Sequence, residues 1–340
     1  MQPKSNAAIP LIILSLLFVG TTEQANPAES NVSAVWSVQF SPDGSHLAVG
    51  RYQWVQLWDL GTREIIQDLE PHSDAVRCLR FSRDGKMLFA GGGLPAQNGE
   101  LHVWEVESGA EIRVVDCHAD TIEAVTVSAD GSRVLTASMD EHISVIALDS
   151  GDIEHTLTQH IDRVFGIDFR DDGKYFVTGG KDKTVKIWNA QTYEVLVNFD
   201  QNDAAVYSVA FAPIDNMIIS GSGDTVLRSW RVTESIGEAG NLQTQGALVR
   251  VYNGHQGAVY AIDCGTRENQ VIVVSGSADK SVIVWDFRSG SRLHTFSESA
   301  EEVYAVDLSE DGGFVAAGGR DGIARVWDLS SGQLVGTFTE

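Results

Sequence analysis

The sequence predicts an all-β protein, a seven-bladed β-propeller with four antiparallel strands in each blade. Three observations predict it. A segment centred on an aromatic residue recurs seven times at a base period of 42 residues. Each recurrence follows an Asp-Gly-like turn by about twenty residues, and the apolar runs between these marks are short.

The recurring segments are VQLWD at 55–59, LHVWE at 101–105, ISVIA at 143–147, VKIWN at 185–189, LRSWR at 227–231, VIVWD at 282–286 and ARVWD at 324–328. Their central position is Trp58, Trp104, Ile146, Trp188, Trp230, Trp285 and Trp327, at successive spacings of 46, 42, 42, 42, 55 and 42. Two units therefore carry insertions. The shorter lies in GGGLPAQNGE at 91–100, between second and third strands, on the top face. The longer lies in TESIGEAGNLQTQG at 233–246, between third and fourth strands, on the bottom face. Its Gly/Gln-rich composition predicts a mobile, tolerated loop.

The turn signals are SPDG at 41–44, SRDG at 82–85, SADG at 128–131, RDDG at 170–173 and SEDG at 309–312, with looser forms PIDN at 213–216 and TREN at 266–269. Gly and Asn tolerate the positive φ that tight hairpins require. In the sixth unit the four strands are read at 259–264, 271–275, 281–286 and 292–296.

From Ser33 to Glu340 the chain resembles the WD-repeat (Trp-Asp) propeller family. The dipeptide stands at Trp58–Asp59, Trp285–Asp286 and Trp327–Asp328 and is degraded elsewhere. The resemblance implies a buried polar relay in each blade: a His before the first strand, a Ser or Thr in the second, an Asp in the next turn, and the Trp. The sixth unit carries all four as His255, Ser275, Asp279 and Trp285, and the fourth as His160, Thr178, Asp182 and Trp188. The third has His118, Thr136 and Asp140 but Ile146; the fifth has Asn202 for the His; the seventh keeps Asp321 and Trp327 only; the first keeps little beyond Trp58. His with Ser and Asp also suits a catalytic triad. A nucleophile, however, needs one site with an oxyanion hole, and this constellation recurs from blade to blade. Recurrence favours a structural role, so no catalytic residue is expected.

The resemblance also implies that the second residue of each inner strand surrounds the top mouth of the central channel. Those residues are Trp36, Arg77, Glu123, Phe165, Tyr207, Tyr260 and Tyr304, five of the seven aromatic. Such a ring fits a hot-spot cluster for a peptide or loop, while plain packing between blades is the competing reading. The following residues, Ser37, Cys78, Ala124, Gly166, Ser208, Ala261 and Ala305, are small, as a crowded axis requires. At the ring closure the last unit supplies its own outer strand at 334–339, so the seam between units one and seven is expected to rest on side-chain packing alone and to open first.

Charge narrows the partners. The formal net charge of −23 repels phosphate backbones, excluding nucleic acid as a general partner and favouring a basic protein or peptide. Residues 1–25 have a signal-peptide layout: Lys4, an apolar run at 7–19, then a polar stretch. Cleavage gives an exported protein, periplasmic or secreted; retention gives a membrane anchor. Residues 26–32 read as a linker, and Asn31-Val32-Ser33 is a glycosylation sequon. Cys78, Cys117 and Cys264 are too few and too far apart for a disulfide framework or a zinc site, and read as buried free thiols. The Asp-Gly turns lack the calcium-loop pattern, so neither metal nor cofactor is expected. The functional expectation is a non-enzymatic interaction scaffold, a monomeric propeller within a complex, binding partners through its top face. The alternatives are a small-molecule or enzymatic propeller using the channel, with Arg77 and Glu123 as its ionisable groups, and a membrane-tethered sensor.

Overall fold

A computed structural model describes residues 33–214, 216–236 and 242–340. The expected signal segment, the linker and the Asn of the sequon lie outside the described residues, as do Asp215 of the PIDN turn and the centre of the longer insertion.

The described chain forms seven four-stranded antiparallel sheets, each drawn from one contiguous stretch. These blades span residues 37–69, 78–118, 122–157, 164–199, 206–253, 259–296 and 303–338. Within each, the strands run in sequence order from the inner strand at the channel to the outer strand at the rim. In blade 6 they are Val259–Arg267, Gln270–Ser277, Val282–Asp286 and Arg292–Phe296, the first two longer than the sequence pattern suggested.

The hairpins between inner and second strands show why the S-x-D-G signal recurs. At 128–131 the Ser128 hydroxyl donates to Asp130 Oδ1 at 2.7 Å, and Gly131 N donates to Ser128 O at 2.8 Å. Gly131 closes the turn at φ +70°, a conformation that costs a residue with a Cβ but not glycine.

The apolar core falls into seven clusters, one at each interface between successive blades. The repeat aromatic acts as a knob that reaches back to the outer strand of the preceding blade. Trp230 meets Phe199 at 4.7 Å between ring centroids, Trp327 meets Phe296 at 4.9 Å, and Trp58 meets Phe338 at 5.4 Å. Trp104 and Trp188 share clusters with the aliphatic Leu69 and Leu157. In blade 3, where Ile146 replaces Trp, its cluster contains the small Cys117 of the preceding outer strand. The 42-residue period thus records a packing contact repeated at every interface.

Two expectations need correction. The seam between blades 7 and 1 does not rest on side-chain packing alone. Arg51, with no exposed surface, donates from Nε to Gln56 Oε1 at 2.7 Å and from Nη1 to Gly322 O at 3.0 Å and Ser33 O at 3.2 Å. Its Nη2 donates to Phe338 O at 3.3 Å, and Glu340 lies 3.7 Å from Nη1. One guanidinium thus ties blade 1 to the turn between the second and third strands of blade 7 and to its last strand. The longer insertion, secondly, is not a loose loop. It extends the third and outer strands of blade 5 to Val226–Ile236 and Leu242–Asn253, paired through Ile236 and Leu242. Tyr175 of blade 4 donates its hydroxyl to Glu234 Oε1 at 2.6 Å and braces this hairpin.

The shorter insertion is pinned as well: Ala96 N donates to Asp120 Oδ1 at 2.8 Å, and Leu94 N donates to Asn98 Oδ1 at 3.0 Å. All three cysteines are free; Cys78 and Cys117 are buried, but Cys264 is only partly so.

Candidate functional site

The inner strands surround a central channel of about 1570 Å³. Their small residues let neighbouring strands approach: a Cβ on Gly166 would lie 3.1 Å from the Ser208 backbone. At one mouth of this channel all seven residues read from the sequence are half-buried. Five make a continuous aromatic arc. Phe165 to Tyr207 is 5.1 Å between centroids, Tyr207 to Tyr260 is 5.3 Å, Tyr260 to Tyr304 is 5.9 Å, and Tyr304 to Trp36 is 5.0 Å. The last pair is stacked, 7° between planes, and spans the seam.

Arg77 continues the arc, its guanidinium carbon 4.1 Å from the Trp36 ring centroid, a cation–π contact. Glu123 completes the circle, and Thr121 donates its hydroxyl to it at 3.3 Å. Burial raises the Glu123 carboxyl above its ordinary range, against the pull of Arg77. Backbone bonds bring the residues before the turn Asp to the same end: Lys181 N donates to Arg163 O at 2.8 Å and Arg320 N to Glu302 O at 3.0 Å. The mouth is thus a rim of ring faces with one cation and one acid, able to hold an extended segment by stacking and hydrogen bonds.

The relay residues meet inside the blades. In blade 4, His160 Nδ1 lies 2.8 Å from Asp182 Oδ2, His160 Nε2 lies 2.7 Å from Thr178 Oγ1, and Trp188 Nε1 donates to the same hydroxyl at 2.8 Å. In blade 6 the matching distances are 2.9 Å from His255 to Asp279, 2.8 Å from His255 to Ser275, and 2.8 Å from Trp285 to Ser275. Because the hydroxyl accepts from the indole, its own proton goes to Nε2, and Nδ1–H points at the carboxylate. Burial lowers the pKa of His160, which keeps this neutral tautomer. Burial alone would raise Asp182, but hydrogen bonds from His160 and Thr184 bring it to about 2. The hydroxyls are fully buried and already committed, so they have no route to a substrate.

Where the hydroxyl is missing, the indole is orphaned. Val49, Ala90 and Ala317 stand at the Ser275 position of blades 1, 2 and 7, and Nε1 of Trp58, Trp104 and Trp327 has no partner. Blades 5 and 7 lack the relay His, and there the turn Asp pairs with an arginine instead, Asp224 with Arg228 and Asp321 with Arg325, each at 2.8 Å.

Two groupings escaped the sequence. Asp168, Asp263 and Asp307 line the channel below the aromatic mouth, each accepting a backbone N–H from the next blade: Phe211 at 2.8 Å, Leu308 at 2.9 Å and Phe40 at 2.7 Å. Burial raises all three carboxyls, Asp168 to about 6, with Arg80 at 3.9 Å pulling the other way. The signal for them was an acid at the fifth position of three inner strands. In blade 2, the donor atoms of His72, Glu100 and His102 converge within 4.8 Å of one another. His72, in the connector, stands at the relay-His position and is masked by it, while Glu100 and His102 of the third strand stand where the sibling blades carry other residue types, so the repeat alignment passes over the group.

Known proteins place the chain. The model of the WD domain, G-beta repeat (WD40), matches residues 151–189, 193–231, 246–286 and 290–328. That of the anaphase-promoting complex subunit 4 WD40 domain matches residues 41–130. The chain is 32% identical over 120 residues to a guanine nucleotide-binding protein subunit beta of Arabidopsis thaliana, covering 33% of this chain and 31% of that one. It is 37% identical over 67 residues to eukaryotic translation initiation factor 3 subunit I of Pyricularia oryzae, covering 20% and 19%. It is 30% identical over 110 residues to the protein groucho of Drosophila melanogaster, covering 32% and 14%. The chain thus spans about a third or less of these relatives. With seven four-stranded blades, a Trp knob in six of them and WD40 models matching along most of its length, the chain belongs to the WD-repeat β-propeller family.

Proposed function

We propose that this protein is an exported, non-enzymatic interaction scaffold that grips a protein or peptide segment at the aromatic mouth. The observation that carries this reading is the unbroken arc from Phe165 through Tyr207, Tyr260 and Tyr304 to Trp36, extended by Arg77. Rings that are half-buried and packed against one another, edge to face, tilted or stacked, are preorganised, so a partner loses little side-chain entropy in ordering them. The chain's charge of −23 supports a basic segment as ligand and weighs against nucleic acid. Two relatives named as subunits, of a guanine nucleotide-binding protein and of an initiation factor, support a place within a complex. The committed relay hydroxyls support a non-enzymatic role.

The test is affinity capture from the exported fraction, followed by measured affinity for the recovered partner. Tyr207→Ala combined with Tyr260→Ala, with folding checked by circular dichroism, should weaken binding at least tenfold, as loss of a hot-spot pair does. Undiminished binding by the folded variant overturns the top-face reading. Sequencing the N-terminus of the protein from that fraction tests export: a start near residue 26 supports a cleaved signal, and an intact leader supports a tethered form.

A further inference from the structure

Blade 2 keeps the first and last members of the relay, His72 and Trp104, and loses the hydroxyl and the turn Asp between them. His72 stands four residues before Val76 as His255 stands before Val259, but Ala90 replaces the hydroxyl residue, and Glu100 and His102 of the third strand reach the space instead. His72 is 4% exposed, and neither of its ring nitrogens has a hydrogen-bond partner. A buried imidazole with two unmatched nitrogens is costly unless something outside the chain completes it.

His102 packs over His72, ring centroids 4.0 Å apart, and its Nδ1 lies 2.6 Å from Glu111 Oε1. That contact fixes the tautomer, since Nδ1–H donates to the carboxylate and the Nε2 lone pair points the other way. It points at Glu100 Oε1, 3.4 Å off, which is itself held by the Ser73 backbone N–H at 2.7 Å. Ligand atoms, one from each of two imidazoles and one carboxylate, thus converge, and either His72 nitrogen is free to present its lone pair while the other carries the ring's single N–H.

We propose that His72, Glu100 and His102 bind one divalent first-row transition-metal ion, with zinc(II) the best match. Two imidazoles and a carboxylate suit zinc, cobalt or iron(II) and do not suit calcium or magnesium, which take oxygen ligands. Tetrahedral bonds of about 2.0–2.1 Å set ligand atoms roughly 3.3 Å apart. The present spread of up to 4.8 Å closes by turning the His72 ring, which has no hydrogen bond to break. Glu111 is the outer-shell partner that orients His102. The side chains of Glu100 and Glu111 are 12% and 34% exposed, so an ion has a way in and a water has a fourth position. Bound there, the ion staples the connector entering blade 2 to that blade's third strand. The competing arrangement is an ion triad without metal, in which His102 carries a proton between Glu100 and Glu111.

Untagged full-length protein, stripped with a chelator, is titrated with cobalt(II) and followed by its visible d–d bands, then with zinc(II) as competitor. About one equivalent of cobalt(II) should bind, be displaced by zinc(II), and raise the melting temperature. His102→Gln and the isosteric Glu100→Gln should abolish stoichiometric binding, and Glu111→Gln should weaken it about 10–100-fold. A stripped wild type that binds no cobalt(II) or zinc(II) at micromolar concentration establishes the metal-free triad and overturns the proposal. Full binding retained in folded Glu100→Gln or His102→Gln overturns it as well.

Discussion

Replacing Arg51 tests how the ring is closed. Arg51→Met keeps the apolar stem and removes the guanidinium, which has no exposed surface and donates to Gly322 O, Phe338 O, Ser33 O and Gln56 Oε1. Ser33 and Glu340 are partly exposed and can turn to water. The buried acceptors of Gly322, Phe338 and Gln56 cannot, and each orphaned group costs about 1–3 kcal/mol. Relief from burying a charge returns part of this. A net loss of about 3 kcal/mol is expected, measured by urea unfolding followed through tryptophan fluorescence. The loss should be local: hydrogen exchange should quicken in residues 37–50 and 324–338, the two sides of the seam, before other blades respond. Arg83→Ala is the control. Its ion pair with Asp171 is short, 2.6 Å, but exposed on both sides, and should be worth less than about 1 kcal/mol. A loss below about 1 kcal/mol for Arg51→Met, with seam exchange unchanged, would show that the ring is closed without the guanidinium.

Other perturbations follow from the same contacts. Ser275→Ala strands both His255 Nε2 and Trp285 Nε1 in a dry interior and should cost about 2–4 kcal/mol by denaturant unfolding. Phe338→Ala empties the socket of Trp58 and should cost about 3–5 kcal/mol, while Ile65→Ala on an exposed outer-strand position should cost under 1. Burial raises Asp168 to about 6, so the folded state keeps this proton at pH values where the unfolded chain has lost it. Its contribution to stability is therefore fully present below about pH 4 and is lost as pH rises through about 6. Asp168→Asn preserves an acceptor for Phe211 N–H, and should stabilise the protein at pH 8, by at most about 3 kcal/mol, and not at pH 4. Equal effects at both pH values would rule out the carboxyl as the cause. Asp182 acts in the opposite direction: lowered to about 2, it contributes stability above the usual carboxylate range that is lost as pH falls through about 2.

The sequence revealed what the fold must do seven times. A Trp is needed at nearly every blade interface, and an Asp-Gly turn at nearly every inner hairpin, so both survive as a period. The mouth residues were legible for the same reason, since they hold one register position in all seven inner strands. What happens once was hidden. Arg51 stands in the most degraded unit, and nothing in its neighbours along the chain tells that its side chain spans to Gly322 and Phe338. His102 occupies a position that carries Ser144, Lys186, Arg228 or Ile283 elsewhere, and its partner His72 looks like an ordinary relay residue until Ala90 is seen beneath it. The hairpin of blade 5 was misread because Gly and Gln mask the strand alternation that pairing through Ile236 and Leu242 imposes.

Drawing every sheet from one contiguous stretch has a topological consequence. No blade waits for a strand from a distant part of the chain, so each can complete its own sheet as it is synthesised, with short loop closures throughout. The described ends meet at one side chain, since Arg51 bonds the carbonyls of both Ser33 and Phe338. The ring is therefore indifferent to where its sequence starts. A circular permutant that joins those ends and opens at another connection between blades should keep all seven sheets, and would move the weakest joint to whichever interface is cut.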